Sequence, residues 1–427
     1  YGSNYGHFDL TVDPATKEII NFEAEVLPIT GFEPDLAVQA IVDEATAAAA
    51  ELGNAKVGEI SDSMFRAVQS PGDGTPFPEN RGGESTLGNF VADVQLWAAS
   101  ELGAEIAFMN PGGLRTDLVY EASGAGDADG EVTYREAANV QPFGNTLTTM
   151  SLTGAQIKMV LEEQWQPAGA QRPFLKLGVS EGLTYAYDPT AAQGERVTAM
   201  YLNGVPVDAA ASYKVVANSF LAAGGDNFAT LAEGTDRADS GRVDLQSMVE
   251  WFEENTVASP PLEQRAIGAV VSAPDADGFN PGDDVTLDLS SLTFSRGGSG
   301  ATTVEVSVDG NVLGSATIDR TIVNTTDEQG RATVTVTIPA GTPSGTLALT
   351  VTVPGTDTAI AVPIEVVTTA EAIENTKAPS IRGKVEVGKT VKAVHGNWSV
   401  KSPDYSYQWL RDGAPIAGGT DSRYRIT

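Results

Sequence analysis

Residues 219–228 read Ser-Phe-Leu-Ala-Ala-Gly-Gly-Asp-Asn-Phe, which places two aromatic rings and a carboxylate around a Gly-Gly turn. Gly224 and Gly225 let the backbone approach a ligand closely or take positive φ, so Phe220 and Asp226 can together hold a flat polar ligand. Taken alone, a Gly-Gly-Asp turn is more often punctuation between two elements. Three further segments set polar or aromatic side chains beside glycines: Arg81-Gly82-Gly83-Glu84-Ser85-Thr86-Leu87-Gly88-Asn89, Asn110-Pro111-Gly112-Gly113-Leu114-Arg115 and Gln141-Pro142-Phe143-Gly144-Asn145. Arg81 and Arg115 carry planar guanidinium groups, which grip phosphate with two parallel hydrogen bonds where a lysine cannot. Plain structural alternatives stand beside these readings. Phe143 and Phe220 fit as core aromatics, Arg81 and Arg115 as solvated groups or partners of Glu84 and Asp117, and Asn110 and Asn145 as caps on turn backbone.

Composition narrows the ligand. Among 427 residues, 57 acidic side chains oppose 26 basic ones, a formal charge of −31 that repels nucleic acid and anionic membranes at long range. An anionic small molecule must then be met by a local pair of arginines. The chain has no cysteine, which excludes disulfides, thiolate metal sites and a thiol nucleophile. Its two histidines, His7 and His395, lie in different segments, so no His-rich metal centre forms within it. No apolar run approaches the ~20 residues that span a bilayer.

The elements that must position these residues follow from periodicity. Residues 1–30 read as a hairpin, with alternation at 8–13, a Pro-Ala-Thr-Lys turn and a second strand from Glu18. An Ala-rich stretch at 34–52 reads as a helix joining two domains. From 56 to about 262 helices and strands interleave. Ser85 or Thr86 caps a helix whose apolar face is Leu87, Phe90, Val91, Val94, Trp97 and Ala98. Strands are expected at 105–109, 146–152, 183–187, 197–202 and 213–218, a capped helix from Thr153, and a final helix facing inward with Leu245, Met248, Val249 and Phe252. This is an α/β or α+β domain.

After Pro260-Pro261 the chain turns to Val, Thr, Gly and Asp, with period-two strands at 285–289, 303–308, 332–338 and 347–353 and a hairpin signal at Asp309-Gly310-Asn311. Residues 267–367 therefore read as an all-β, immunoglobulin-like sandwich. A linker at 368–377 leads to a second, incomplete module at 378–427, similar to the repeated Ig-like modules of bacterial surface proteins, with Trp409 as the core tryptophan of its aromatic strand. The chain begins without methionine and ends inside a strand-like pattern, so both ends read as cut.

The order and spacing of the four glycine-bearing segments, with Leu152-Thr153-Gly154 opening a helix, resemble the C-terminal substrate-binding domain of the 5′-nucleotidase family of ecto-5′-nucleotidase and UDP-sugar hydrolase. The resemblance covers residues 34–255. It implies that Phe143 and Phe220 stack on the two faces of a nucleobase, that Asp226 accepts from ribose hydroxyls, and that Asn145 meets the base edge. It further implies that Arg81 and Arg115 contact the phosphate or ribose side and that Asn110 lies near base and sugar, with Gly112, Gly113, Gly224 and Gly225 in support. Two departures are Pro111, where relatives more often carry a small residue, and Asn227, where they carry Gly.

Family members hydrolyse phosphate esters with two divalent metal ions on an N-terminal domain. None of those motifs occurs here, so the resemblance implies no catalytic residue, no metal site and no cofactor within this chain. Residues 2–10 resemble the last strands of that missing domain, and His7 reads as structural. Rotation about the helix at 34–52 is the expected way to bring a bound nucleotide to the metals. The expected protein is a secreted or cell-surface hydrolase with a nucleotide or nucleoside as partner, no nucleic acid and no membrane insertion, and cell-wall or surface attachment through the Ig-like modules. The alternative is a surface adhesin or spacer in which the nucleotidase domain is a relic. UDP-sugars and cyclic nucleotides stay open as substrates, because an aromatic clamp accepts any base.

Overall fold

The computed structural model describes residues 4–70, 78–124, 126–274, 278–367, 374–399 and 405–427. Most of the expected linker, at 368–373, lies outside them, as do residues 2 and 3 of the opening segment. Strands β1 (Asn4–Val12) and β2 (Ile19–Pro28) form an antiparallel hairpin closed by the expected turn. His7 Nδ1 lies 3.0 Å from Glu25 Oε1 across it. Helix α1 (Leu36–Gly53) is capped by Asp35, whose carboxylate accepts from the amides of Ala37 and Val38, and it buries no residue.

The following region is built on a five-stranded sheet. Along the chain come β3 (Lys56–Ile60), α2 (Thr86–Ala98), β4 (Ile106–Met109), β5 (Glu131–Thr133), α3 (Tyr134–Val140), β6 (Thr146–Thr153) and α4 (Gly154–Glu162). Then come β7 (Gly178–Val179), β8 (Leu183–Tyr187), β9 (Val197–Leu202), β10 (Val205–Pro206), β11 (Ser212–Asn218), α5 (Ser219–Ala222), β12 (Thr235–Val243), α6 (Asp244–Asn255) and β13 (Val257–Ala258). The sheet order is β12-β6-β11-β4-β7, with β11 parallel to β4 and antiparallel to β6.

Strand geometry sends alternate side chains to opposite faces, and each face has its own core. Ala107, Met109, Leu147 and Val216 pack with Leu87, Phe90 and Val94 of α2 and with Met248 and Phe252 of α6. Ile106, Phe108, Met150, Leu152, Val215 and Ala217 pack with Ile157, Val160 and Leu161 of α4 and with Leu183, Tyr185 and Tyr187 of β8. Capping fixes where the helices start. Ser85 accepts from Gly88 N, and Thr133 and Thr153 close reciprocal capping boxes with Glu136 and Gln156.

Beyond residue 262 lie β14 (Ala266–Val271), β15 (Asp284–Ser290), β16 (Thr303–Val308), β17 (Asn311–Thr317), β18 (Ala332–Thr337), β19 (Gly345–Thr352) and β20 (Ala359–Val366). One four-stranded sheet runs β17-β16-β19-β20, and its hairpin turns at Asp309 and Gly310, both with positive φ. The facing sheet runs β10-β9-β8-β14-β15-β18, so β14 joins β8 in parallel and carries the sheet across residue 262. Val285, Leu287, Val304, Val306, Val334, Leu349 and Ile360 fill the space between the two sheets. In the last module Ser380–Arg382, Thr390–Val394 and Arg423–Arg425 pair antiparallel. The aromatic segment there is shorter as a strand than its alternation suggests, with only Leu410–Arg411 paired. Trp409 is half-buried and stacks on Tyr424 at 5.7 Å rather than filling a closed core. Among the described residues no helix is long and apolar enough to cross a membrane.

Candidate functional site

The C-terminal ends of the parallel pair β4 and β11 open into the cleft that carries the candidate residues. Asn110 follows β4 directly, and Asn218 closes β11. Asn218 Oδ1 accepts from Leu221 N at 2.9 Å, capping α5, while its Nδ2 donates to Asn110 Oδ1 at 3.0 Å. Asn110 Nδ2 in turn donates to Asp226 Oδ2 at 2.8 Å. A line of three side chains therefore ties two strand ends to the glycine loop. Asn218 was not singled out in the sequence, although an asparagine between a strand and a helical stretch is an N-cap signal.

The loop after β11 is more structured than a bare turn. Gly224 takes φ 87° and Asp226 φ 56°, both left-handed, so the chain turns twice within residues 224–227. Asn227 follows at φ 65°, a conformation that asparagine tolerates better than most residues. The folding-back brings Gly225 against the Phe220 ring: a Cβ there would lie 2.5 Å from the ring. Gly112 plays the corresponding part across the cleft, since a Cβ would meet the Arg81 guanidinium at 3.0 Å and Asp226 Oδ2 at 3.2 Å.

A cleft of about 310 Å³ is lined by Arg81, Asn110, Gly112, Gly113, Phe143, Asn145, Asn218, Phe220 and Asp226. The structure thus gathers six of the seven side chains singled out above around one space. Phe143 is 58 % exposed and Phe220 48 %, so neither is a core aromatic, whereas Phe228 of the same loop is fully buried. Arg115 is not among the lining residues. It stands beside Phe143 with its guanidinium carbon 5.7 Å from the ring centroid, within cation–π range, and donates to Gly112 O at 3.3 Å.

The suggested ion pairs of the two arginines are not the ones formed. Arg81 Nε donates to Glu79 Oε2 at 3.0 Å, and Asp117 pairs with Arg66 at 2.8 Å and Arg296 at 3.1 Å. Glu84 is buried with Lys176 instead. Neighbouring charges in sequence are exposed to many partners in a folded chain, and burial decides among them. Asn145 Nδ2 donates to Asp244 Oδ2 at 3.2 Å, at the start of α6. Burial pushes the Asp244 carboxyl up from its ordinary value, and hydrogen bonds from Leu245 N and Asn145 oppose that. Among the described residues no group of three or more His, Asp or Glu side chains is arranged to hold a metal ion.

Comparison with known proteins bears on the segment that builds this cleft. Residues 56–233 match the family model described as 5′-nucleotidase, C-terminal domain. The trifunctional nucleotide phosphoesterase protein YfkN of Bacillus subtilis is 35 % identical over 192 residues, covering 43 % of this chain and 12 % of that protein. The cell wall protein Lmo0130 of Listeria monocytogenes is 32 % identical over 197 residues, covering 44 % of this chain and 23 % of that protein. The chain thus spans less than a quarter of the length of either relative. The crystal structure of a 5′-nucleotidase precursor from Thermus thermophilus aligns at 30 % identity with a TM-score of 0.45, covering 62 % of this chain and 49 % of that one. Residues 56–233 are thus similar to the C-terminal domain of 5′-nucleotidases.

Proposed function

We propose that the cleft holds the nucleoside part of a nucleotide, with the base between Phe143 and Phe220. The observation that carries this reading is the pair of exposed phenylalanines lining one cleft together with Arg81, Asn110, Asn145 and Asp226. Stacking on a base contributes about 1–3 kcal/mol per base and tolerates any base. In this reading Asp226 and Asn110 accept from and donate to the ribose hydroxyls, Asn145 meets the base edge, and Arg81 and Arg115 face the phosphate side. In a chain of net charge −31 those two cations are what make an anionic ligand acceptable.

The chain is then the recognition part of a 5′-nucleotidase-like phosphohydrolase acting on nucleoside 5′-monophosphates or related nucleotides. Hydrolysis belongs to two divalent ions on a further domain that precedes the segment in the family. A secreted or cell-surface setting is supported by the likeness to a protein named as a cell wall protein and by 25 % identity to snake venom 5′-nucleotidase of Naja atra. We read residues 267–367 as an Ig-like module on its strand order, three strands (β14, β15, β18) facing four (β17, β16, β19, β20), with cell-wall or surface attachment as its role.

Isothermal calorimetry with AMP and adenosine tests the clamp. Wild-type protein is expected to bind both, and Phe143→Ala combined with Phe220→Ala to abolish binding while leaving the melting temperature close to wild type, because both rings are exposed. Unchanged affinity in the double variant removes the clamp from consideration.

A further inference from the structure

Arg81 lines the cleft, yet the segment carrying it is held from behind by the β-sandwich. Lys176 N donates to Arg81 O at 2.8 Å. The Lys176 ammonium lies 2.5 Å from Asp327 Oδ2 and 3.5 Å from Glu84 Oε2, and all three side chains are at most 2 % exposed. Asp327 Oδ1 accepts from Glu84 N at 2.9 Å, the Asp327 carbonyl accepts from the Tyr187 hydroxyl at 2.5 Å, and Ser291 donates to Asp327 Oδ2 at 2.9 Å. Beside Arg81, Asn80 donates to Val323 O at 3.4 Å and accepts from Gly82 N at 2.9 Å. Gly82 itself lies flat against the sandwich: a Cβ there would come 2.3 Å from Thr325 O.

Residues 80–84 are therefore clamped between Lys176 and the loop at 323–327. A buried cation such as Lys176 persists only while its counter-charges are in place, and Asp327 is the nearer of the two. The loop thus contributes to the nucleotidase-type region an ion partner, a backbone acceptor for Glu84 and a carbonyl wall against Gly82, all within a few residues of one cleft-lining arginine.

We propose that residues 323–327 of the sandwich are a positioning element of the ligand cleft, with Asp327 as the positioning residue that fixes residues 80–84 and so the aim of the Arg81 guanidinium. The inference rests on the nucleotide reading of the cleft. It makes the module after residue 262 part of ligand recognition rather than only a spacer. Coupling between two places is reciprocal, so a phosphate held by Arg81 tightens the loop at 323–327 in return.

The test uses the full chain, with calorimetry and amide hydrogen exchange. Asp327→Asn is expected to weaken AMP roughly 5- to 20-fold, within the usual range of such couplings, while adenosine, which lacks the phosphate, changes less than about twofold. In wild type, AMP slows amide exchange at 323–329 and adenosine does not. Equal losses for both ligands, or an unchanged AMP-to-adenosine ratio, overturn the positioning role and leave Asp327 as packing. If Asp327→Asn does not fold, the exchange experiment on wild type decides alone, and no AMP-dependent slowing sinks the proposal. If wild type binds neither ligand, the nucleotide reading falls. The clamp on residues 80–84 is then judged by whether Asp327→Asn accelerates exchange at the Gly82 and Glu84 amides while residues 143–145 keep their rates; no acceleration overturns it.

Discussion

Gly225 is the position where one added carbon matters most to the cleft. An ideal Cβ would sit 2.5 and 2.6 Å from the Phe220 ring and 2.6 Å from the Phe220 carbonyl, so Gly225→Ala must move the ring, the backbone or both. Overpacking of this kind costs about 1–3 kcal/mol, and here it falls on an exposed stacking face rather than on a core. Gly225→Ala is therefore expected to weaken nucleotide binding by about as much as Phe220→Ala, roughly 1–3 kcal/mol, measured by calorimetry on both variants. Wild-type affinity in Gly225→Ala would mean that the Phe220 ring does not need its present place. Ser219 to Phe228 already displays the glycine pair beside Phe220 and Asp226. What it does not display is that Gly225 serves the ring five residues back, because that contact exists only once Gly224 and Asp226 both turn left-handed. Likewise the exposure of Phe143 and Phe220, against the burial of Phe228, is a property of the fold: a phenylalanine in a sequence carries no mark of which side it faces.

At the scale of elements, the cleft depends on two adjacent strand ends being stapled to one another. Asn218→Ala removes the cap of α5, worth about 1 kcal/mol, and deprives the buried Asn110 side-chain oxygen Oδ1 of its donor, worth about 1–3 kcal/mol. Together these lower the unfolding free energy by roughly 2–4 kcal/mol, read as a lower urea midpoint at unchanged slope. A loss well under 1 kcal/mol would show that water replaces both bonds. The elements themselves differ in how far the sequence betrays them. Strands β15 and β18 have alternations that match their burial, since each packs one face on a core, whereas α2 is buried beyond its apolar stripe, Thr86, Asn89 and Gln95 included. Strand β12 reads Thr-Asp-Arg-Ala-Asp-Ser-Gly-Arg-Val and escapes notice, because an edge strand with exposed side chains needs no apolar face. Strand β14 escapes for the opposite reason: Ala-Ile-Gly-Ala-Val-Val starts with four buried residues in a row, and its small side chains give no alternation to detect.

For the whole molecule, the consequence of β14 is that the nucleotidase-type region and the sandwich share one sheet and one buried charge cluster. Lys176 stands at the centre of that cluster, with Asp327 from one region and Glu84 from the other. Burial opposes its charge, but Asp327 first, then Tyr185 and Glu84, outweigh burial and hold its pKa well above the usual lysine range. Lys176→Met leaves two buried carboxylates without their cation and is expected to cost about 3–5 kcal/mol. The pH dependence follows from the sign of the shift. A cation with a raised folded pKa gives its full stabilisation below the unfolded lysine value of about 10.4 and loses it only as pH climbs through the higher folded value. Glu84 is itself pushed up by burial, so the comparison belongs on the alkaline side of its titration. The gap in melting temperature between wild type and Lys176→Met is then expected to stay level from about pH 8 to about pH 10 and to narrow above that. A gap that instead widens between those values would mean that Lys176 is neutral in the folded protein, since only the unfolded chain would then carry its proton and wild type would gain stability as pH rises; the two regions would then be joined by packing and hydrogen bonds rather than by a buried ion pair.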